Sequence, residues 1–454
     1  MLKIGRLGWL VIGLALCAAP VRSASDTVVR VSWMVDGTGR PMRNDSYITI
    51  RDGRITAVSA QRPGAANGSL LDFSGNTAVP GLVDAHGHIV QFGTDPDADN
   101  PPFLEASKRA AWLVCNARLA LAGGITTLRD PGTYNWTLGL RRQIESAGPR
   151  WIVAGRQMVK RAPDAYMSEM FVEFDGVQEA RLVVGRLRSD GADFIKLRLT
   201  KQRPLPSLDE VRAIVSEAHR LGLRVAAHTD VPHEEAVQLA LAGGVDTLEH
   251  NAALRMKNPA AAYAEIVRRG VVVVPGMANW DTRMKTLSTP AGEIIEEPLR
   301  SRLPPSLLRL ITLHAGEIRE SVKKLVDGGY VPAGRRQEAL RETRDAYKSG
   351  VLLATGPDTG VSLMPHGRLY LDAYWLAEAG LPIEQVVRAA SLNGARAAGI
   401  DKETGSIESG KLADVVIVKG NLAQDYRRLK DVLLVIHAGR VVFDARKPYV
   451  VGCQ

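Results

Sequence analysis

Six polar residues, each inside or at the end of an apolar run, form a set of four imidazoles, one lysine and one carboxylate that suits a divalent metal site. They are His86, His88, Lys196, His228, His250 and Asp358. His86 and His88 are two residues apart, so on an extended strand both imidazoles point to the same side and can share a cation. Imidazole and carboxylate are usual zinc ligands, and catalytic zinc sites keep a position for water. Taken singly, each residue could equally be a hydrogen-bonded core or surface residue.

A shared site requires elements that bring these residues to one face. The segment 81–400 alternates short apolar runs with helical periodicities, which is typical of βα units around a parallel sheet or barrel. In a barrel the carboxyl ends of the strands form the active-site face. The sequence therefore predicts an α/β barrel with a metal site at the carboxyl ends of its strands.

An internal repeat supports this arrangement. Residues 119–130 (LALAGGITTLRD) and 239–250 (LALAGGVDTLEH) match at eight of twelve positions, 120 residues apart. Each segment has the pattern of a helix end, a Gly-Gly stop and a strand. The repeat places Asp130 and His250 at equivalent strand ends, although a common helix-to-strand corner could also recur by chance.

The two ends of the chain have a different texture. Residues 28–79 consist of short alternating segments with an Asp52-Gly53 turn, and hairpin patterns return after Gly405, where His437-Ala438-Gly439-Arg440 forms the second turn. We therefore expect both ends to meet in one small β domain. The predicted boundaries are 24–80 and 401–454 for its two parts and 81–400 for the barrel.

Residues 1–23 have the pattern of a secretory signal peptide. Lys3 and Arg6 precede the apolar run Leu7–Ala19, and small residues precede a cleavage point after Ser23. We expect an exported protein, periplasmic or extracellular. The run is shorter than the roughly 20 residues that a spanning helix needs, and no later window is apolar enough, so we expect no integral membrane span. Leu16 before Cys17 disfavours a lipid anchor.

Composition and charge exclude several classes of protein. The 454 residues are 45% hydrophobic and 24% charged, as in ordinary globular chains. The formal charge of +9 falls to +6 without the leader, and the basic residues are scattered, so nucleic-acid binding is not indicated. Cys115 lies in an apolar helical stretch and Cys453 is the penultimate residue, and from these positions we expect no structural disulfide.

In combination and order, the chain's motifs resemble the metal-dependent amidohydrolase superfamily, in particular its imidazolonepropionase-like and prolidase-like (Xaa-Pro dipeptidase-like) branch. The motifs are PGLVDAHGH (80–88), GITTLRD (124–130), FIKL (194–197), AAH (226–228), DTLEH (246–250), ATGPDTG (354–360), AASLNGARAAGI (389–400) and GSIESGKLADVVIV (405–418). The resemblance implies a (β/α)₈ TIM-like barrel with a small β-sandwich domain built from both chain ends.

The resemblance also implies a site with two divalent metal ions, for which we expect zinc. His86, His88 and Asp358 would hold the more buried ion and His228 and His250 the other, while Lys196, carboxylated on its amine by CO₂, would bridge them. A bridging hydroxide would attack the substrate carbonyl, and Asp358 would pass the proton to the leaving group. We expect an amide (C–N) hydrolase acting on a small substrate such as a dipeptide or an N-acyl amino acid.

The sequence departs from the peptidase members at two substrate-holding positions. Their Gly-Gly-His-type segment is replaced by 151–157, which contains no histidine, and Thr229-Asp230 follows His228 where an aromatic residue is usual. Dipeptidase specificity is therefore open. Arg156 could clamp a substrate carboxylate or lie at the rim of the core. Asp130 could bind substrate or cap a loop.

Three alternative functions remain open. One is a lactonase or esterase that uses the same metals on a C–O bond. Another is a mononuclear deaminase-type hydrolase of a cyclic amidine or amide, for which Glu234 and Glu235 lie too far after His228. The last is a non-catalytic binding protein, which the complete ligand set argues against.

The sequence leaves some further residues without an assigned role. His219 and His437 have the positions of structural or exposed residues, whereas His366 and Tyr370 could reach the barrel mouth. The segment 279–342 is expected to supply helices that roof this mouth. The oligomeric state, including a homo-oligomer, stays open.

Overall fold

The computed structural model describes residues 26–64, 68–91, 106–162, 169–200, 203–229, 234–290, 293–313, 315–327, 335–361, 364–449 and 451. The predicted leader, Cys17, Asp230 and Cys453 lie outside these residues. No helix within the described part of the chain is long and apolar enough to cross a bilayer.

The elements alternate in the middle of the chain and are strands at its ends. In chain order the strands are β1 (Thr27–Met34), β2 (Arg43–Arg51), β3 (Arg54–Ser59), β4 (Ser69–Pro80), β5 (Leu82–Asp84), β6 (Ile125–Asp130), β7 (Arg150–Val153), β8 (Gln157–Lys160), β9 (Phe171–Phe174), β10 (Phe194–Leu199), β11 (Arg224–Thr229), β12 (Thr247–Glu249), β13 (Val272–Val274), β14 (Leu352–Leu353), β15 (Val415–Lys419), β16 (Val432–His437) and β17 (Arg440–Asp444). The helices are α1 (Ala106–Ala122), α2 (Asn135–Leu138), α3 (Arg141–Ala147), α4 (Gly176–Asp190), α5 (Leu208–Arg220), α6 (Glu234–Gly243), α7 (Pro259–Arg269), α8 (Met277–Thr286), α9 (Leu299–Arg302), α10 (Pro305–Leu313), α11 (Ala315–Asp327), α12 (Arg336–Lys348), α13 (Tyr370–Glu378), α14 (Ile383–Arg388) and α15 (Gly394–Ala398).

Strands from both chain ends form one sheet, in the order β17-β16-β15-β4-β1-β2-β3. The two predicted hairpin turns lie in it: Asp52 and Gly53 have φ of 50° and 77°, and Ala438 and Gly439 have 46° and 78°. Positive φ at both central residues matches the right-handed twist of the flanking strands. The expected union of the chain ends is thus present, while a second sandwich layer stays a prediction.

The middle of the chain forms two parallel sheets rather than one. Their orders are β5-β6-β7 and β14-β13-β12-β11-β10-β8-β9. Backbone hydrogen bonds join the sheets at both seams, from Ala85 N to Thr355 O (3.0 Å) and from Asp193 N to Val153 O (2.8 Å). The α/β class with parallel strands is confirmed, and closure into a single eight-stranded barrel stays a prediction.

The internal repeat corresponds to two equivalent corners of this fold. Residues 119–130 contain the end of α1 and strand β6, and residues 239–250 contain the end of α6 and strand β12. Gly124 and Gly244 have φ of 84° and 89°, a left-handed conformation that glycine adopts without steric cost. Each Gly-Gly pair therefore ends a helix and turns the chain into the next strand.

The expectation of no structural disulfide is wrong, because Cys115 in α1 is disulfide-bonded. The other two cysteines, Cys17 and Cys453, lie outside the described residues. The last described residues pack against α1: Arg118 Nη1 donates to the Val451 carbonyl at 3.1 Å, and the Tyr449 hydroxyl donates to the Arg118 carbonyl at 3.1 Å. This proximity depends on the folded chain and is invisible in the spacing of the cysteines.

Candidate metal centre

Four imidazoles lie together at the carboxyl ends of the parallel strands. His86 and His88 follow β5, His228 lies in β11, and His250 follows β12. The ring centroids are 5.5 Å apart for His86 and His88, 4.9 Å for His86 and His250, and 4.2 Å for His228 and His250. Strand β5 ends at Asp84, earlier than the histidines, but Gly87 still pairs in parallel with Thr359. The structure thus brings all four predicted histidines into one cluster.

Two of these imidazoles direct an unprotonated nitrogen at the same carboxylate oxygen. The Nδ1 of His86 lies 2.6 Å from Glu249 Oε2, and the Nδ1 of His88 lies 3.0 Å from the Gly132 carbonyl. Because a carboxylate and a carbonyl only accept, each Nδ1 donates and each Nε2 presents a lone pair. Those Nε2 atoms lie 3.7 Å and 3.2 Å from Asp358 Oδ1. Lone pairs facing a carboxylate oxygen are stable only with a cation between them.

Other observations support the need for a cation at this point. Asp358 Oδ1 is buried and has no hydrogen-bond partner among the described residues. Ligand atoms of His86, His250 and Asp358 all lie within 4.8 Å of one another. Burial alone would lower the pKa of His88, but the carboxylates of Asp130 and Asp358 raise it to about 10, so a proton takes the position of the cation when no metal ion is bound. The donor set and its charge therefore fit a divalent metal ion.

His250 and Asp358 share an unusual backbone conformation. Their φ values are 68° and 62°, in the left-handed region that residues with a Cβ seldom adopt. Backbone hydrogen bonds hold both residues there, from His250 N to Val274 O (2.8 Å) and from Asp358 N to His86 O (2.9 Å). Such strain costs about 1–3 kcal/mol per residue and clusters at functional sites.

Lys196 lies in β10 with only 1% of its surface exposed. Its Nζ has no hydrogen-bond partner within the described part of the chain. Burial lowers the pKa of Lys196, Glu249 opposes this effect and the guanidinium groups of Arg129 and Arg198 reinforce it, so that the pKa is about 8. Burial thus shifts this lysine toward the neutral amine, whose nitrogen has a free lone pair.

A buried ion pair that was not predicted from the sequence lies behind the histidines. Arg129 Nη1 donates to Glu249 Oε1 at 2.9 Å and to the Ala85 carbonyl at 3.0 Å, and its guanidinium lies 4.2 Å from the centre of the Phe194 ring. Burial would raise the pKa of Glu249, but Arg129 and Lys196 hold it well below its usual range. The anionic Glu249 fixes the tautomer of His86, as carboxylates behind metal-binding histidines do.

The repeat contained a signal for this pair. Aligning 119–130 with 239–250 places Arg129 opposite Glu249. The two strands occupy equivalent positions, so side chains of opposite charge at one repeat position can meet in the interior. Only the folded structure shows that they do.

Asp130 caps a loop beside the histidines. Its Oδ1 accepts from Gly132 N at 3.1 Å, and its Oδ2 accepts from Ile89 N at 3.1 Å and from Trp151 Nε1 at 3.2 Å. These bonds connect the β5 and β6 loops and hold the carbonyl that orients His88. Of the two roles expected for Asp130, the structure shows the capping role.

The other candidate residues from the sequence form hydrogen bonds or ion pairs with neighbouring protein groups. Arg156 donates to the Phe171 carbonyl, and the Nε2 of His366 lies 3.2 Å from the Gln91 carbonyl. Tyr370 donates to Glu296. His219 and His437 pair with Asp246 at 2.9 Å and Asp414 at 2.8 Å, in keeping with the structural role expected for both.

Curated relatives of the chain include a deaminase and an imidazolonepropionase. An uncharacterised protein of Mycobacterium tuberculosis is 27% identical over 363 residues, covering 78% of this chain and 82% of that protein. A 5'-deoxyadenosine deaminase of Methanothermobacter thermautotrophicus is 23% identical over 386 residues, covering 82% and 80%. An imidazolonepropionase of Streptococcus gordonii is 22% identical over 262 residues, covering 50% and 59%.

Solved structures show the same resemblance. A Xaa-Pro dipeptidase crystallised with methionine in its active site is 26% identical, with a TM-score of 0.71, over 92% of this chain and 99% of that chain. A putative prolidase from Bifidobacterium longum is 25% identical, with a TM-score of 0.68, over 92% and 94%. The amidohydrolase family model matches residues 77–442. The chain therefore belongs to the amidohydrolase family and is a metal-dependent hydrolase of carbon–nitrogen bonds.

Proposed function

We propose that this chain is a binuclear amide hydrolase that cleaves a dipeptide or an N-acyl amino acid. The observation that carries the proposal is the convergence of two imidazole Nε2 atoms on Asp358 Oδ1, together with the buried Nζ of Lys196, which has no hydrogen-bond partner among the described residues. A mononuclear site would leave that amine without a function. Two cations and a carboxylated lysine give both Asp358 Oδ1 and Lys196 Nζ a partner.

The described residues divide into two ligand groups. In this proposal His86, His88 and Asp358 would hold one ion, His228 and His250 would hold the other, and carboxylated Lys196 would contribute to both. When bound, the ions, which we expect to be zinc, supply an activated water and polarise the substrate carbonyl. Carboxylation replaces a costly buried cation with an anion that has two oxygens.

Asp358 is positioned to move the proton. Its Oδ2 lies 3.4 Å from Asn279 Nδ2, while its Oδ1 faces the imidazoles. The Asp358 carboxylate takes the proton of the attacking water and delivers it to the leaving nitrogen. Glu249 and the Gly132 carbonyl keep His86 and His88 in the tautomers that leave Nε2 free.

The proposal also covers the domain architecture of the chain and its export from the cytosol. The two parallel sheets act as one (β/α)₈ barrel, with a β-sandwich domain at the chain ends and boundaries at residues 80 and 400. The chain is exported under its predicted leader, and the disulfide at Cys115 supports this, because such bonds persist in oxidising compartments.

A deaminase-type reaction is a second candidate, favoured by the likeness to a 5'-deoxyadenosine deaminase. That chemistry needs a proton-carrying glutamate near the strand histidine. Glu234 and Glu235 line a cavity together with Arg255 and Glu342, and none of the six predicted ligands lines it. Their position favours the binuclear reaction.

Metal analysis of the exported protein, purified with bicarbonate and zinc present, tests the proposal. We expect about two ions per chain and hydrolysis of N-acyl amino acids or dipeptides in preference to lactones. Lys196→Ala should lose metal and turnover, whereas exposed Lys419→Ala should keep both. Two ions and full turnover in Lys196→Ala would contradict the carboxylated bridge, and hydrolysis of lactones alone would favour the esterase alternative.

A further inference from the structure

Helix α8 begins directly against the metal centre. It follows β13 through Gly276, which has a φ of 61°. A Cβ at Gly276 would lie 3.3 Å from the Gly356 carbonyl and 3.9 Å from Nδ1 of His250. The first turns of α8 are therefore next to the residues proposed to bind metal and substrate.

One face of α8 points toward Asp358 and the opposite side toward the outer helices. Asn279 Nδ2 lies 3.4 Å from Asp358 Oδ2, and Arg283 lies one turn further along the same face. Asp281 contacts Arg336 at 2.8 Å and Lys285 at 2.7 Å, and so belongs to the outer side. Arg283 thus follows Asn279 along the mouth of the site.

The guanidinium of Arg283 differs from those of the fully buried arginines Arg129 and Arg368. Arg129 pairs with Glu249, and Arg368 pairs with Glu296. Arg283 has neither a hydrogen bond nor an ion pair from its guanidinium to any residue that the structure describes, although it is half-buried. Burial lowers its pKa, and Asp358 is the neighbouring charge that opposes this effect. A partly desolvated cation without an anionic partner is costly unless a ligand supplies one.

We propose that Arg283 binds the carboxylate of the substrate and thereby determines its class. A guanidinium presents a planar fork that matches a carboxylate with two parallel hydrogen bonds. In the proposed reaction, on which this inference rests, Asp358 protonates the leaving nitrogen. A carboxylate on the carbon attached to that nitrogen lies on the Asp358 side of the site, where Arg283 is located. The substrate is therefore an N-acyl amino acid or a dipeptide with a free α-carboxylate.

Paired substrates test this assignment. An N-acyl amino acid is compared with the N-acylamine that lacks only its carboxylate, and the measured quantity is the ratio of the two kcat/KM values. Loss of one partner of a charged pair typically costs tens- to thousands-fold, so we expect Arg283→Gln to lower this ratio about 100-fold, mainly through KM, and Arg283→Lys to lower it less. Exposed Arg212→Gln on α5 is the matched control and should keep the wild-type ratio.

A binding measurement separates this inference from the proposed function. Calorimetry compares an amino acid with its amino alcohol, which lacks the carboxylate, on wild type and Arg283→Gln with equal metal content. Wild type should prefer the amino acid, and the variant should lose that preference even if no amide proves to be hydrolysed. An unchanged ratio in Arg283→Gln, or equal weakening toward both members of each pair, would overturn the assignment.

Discussion

At the scale of single residues, the site combines strained backbone with buried polar atoms that lack a partner among the described residues. His250 and Asp358 have positive φ, Lys196 Nζ lacks a hydrogen-bond partner among the described residues, and Asp358 Oδ1 faces two lone pairs. Each feature destabilises the protein unless a ligand compensates for it. Their occurrence in one small volume is the physical mark of a functional site.

Replacing Asp358 tests its proposed role as proton carrier separately from its positive-φ backbone conformation. Asparagine tolerates the left-handed conformation better than most residues, so Asp358→Asn should fold while kcat falls about 10³-fold. Asp358→Ala should lose the same activity and also unfold at a lower temperature. The comparison needs steady-state kinetics and thermal unfolding of both variants. An active Asp358→Asn would exclude the carboxylate from proton transfer.

The buried pair of Arg129 and Glu249 should be strongly coupled. Glu249→Gln leaves the guanidinium of Arg129 buried without its counter-charge, which we expect to lower the free energy of unfolding by about 3–5 kcal/mol. Urea denaturation measures this effect. The double variant Arg129→Met with Glu249→Leu should recover part of the loss, because both charges are removed. A single variant as stable as wild type would show that the pair contributes little.

The clustering of the candidate ligand residues was predictable because each ends or interrupts an apolar strand, and strand ends share one face. Arg129 and Glu249 were not, because an arginine and a glutamate near motif ends are ordinary in sequence. Their pairing depends on side chains that cross the interior of the sheet, 120 residues apart. Contacts of this kind leave no periodic pattern.

At the scale of elements, helix α5 shows how local sequence fixes a boundary. Ser207 Oγ accepts from Glu210 N at 3.2 Å, and Glu210 Oε2 accepts from Ser207 N at 2.7 Å, which forms a capping box. The other oxygen, Oε1, accepts from Lys160 Nζ at 2.5 Å and from Gly176 N at 2.6 Å. One carboxylate therefore joins the starts of α4 and α5 to strand β8.

This carboxylate should make the stability pH-dependent. Burial would raise the pKa of Glu210, but Lys160 and the backbone donors lower it to about 2 from its ordinary 4.5. Its stabilisation is therefore complete above pH 4.5 and is lost as the pH falls toward 2. Glu210→Gln should lose on the order of 3 kcal/mol at neutral pH and less at acidic pH. Urea denaturation across this range checks the slope, and exposed Asp209→Asn is the control.

Elements whose structure is set by their own residues were predicted better than elements whose pairing depends on residues far along the chain. The two hairpins of the end sheet follow from Asp52-Gly53 and Ala438-Gly439, whose turn type is set by the residues themselves. Strands β8 and β9 were not identified as a parallel pair at the edge of the larger sheet. Their pairing depends on neighbours that the local sequence does not specify.

At the scale of the whole molecule, a covalent bond involves a helix that also packs against the C-terminal residues. Cys115 lies in α1, and Val451 packs in the same buried cluster. We expect reduction to lower the free energy of unfolding by about 2–4 kcal/mol. Thermal unfolding with and without reductant measures the loss. Cys115→Ser should show the lower stability in both conditions, and a wild type indifferent to reductant would contradict a stabilising bond.

The end sheet also constrains when the protein can fold. Strand β4 pairs with β1 on one side and with β15 on the other, for example Val79 with Val416. A ribosome makes β1–β4 first and β15 only after the whole middle segment. Until then the edge of β4 is open to strands of other nascent chains. A chain that stops before Val415 should therefore self-associate, and delivery across a membrane before folding would protect the complete one.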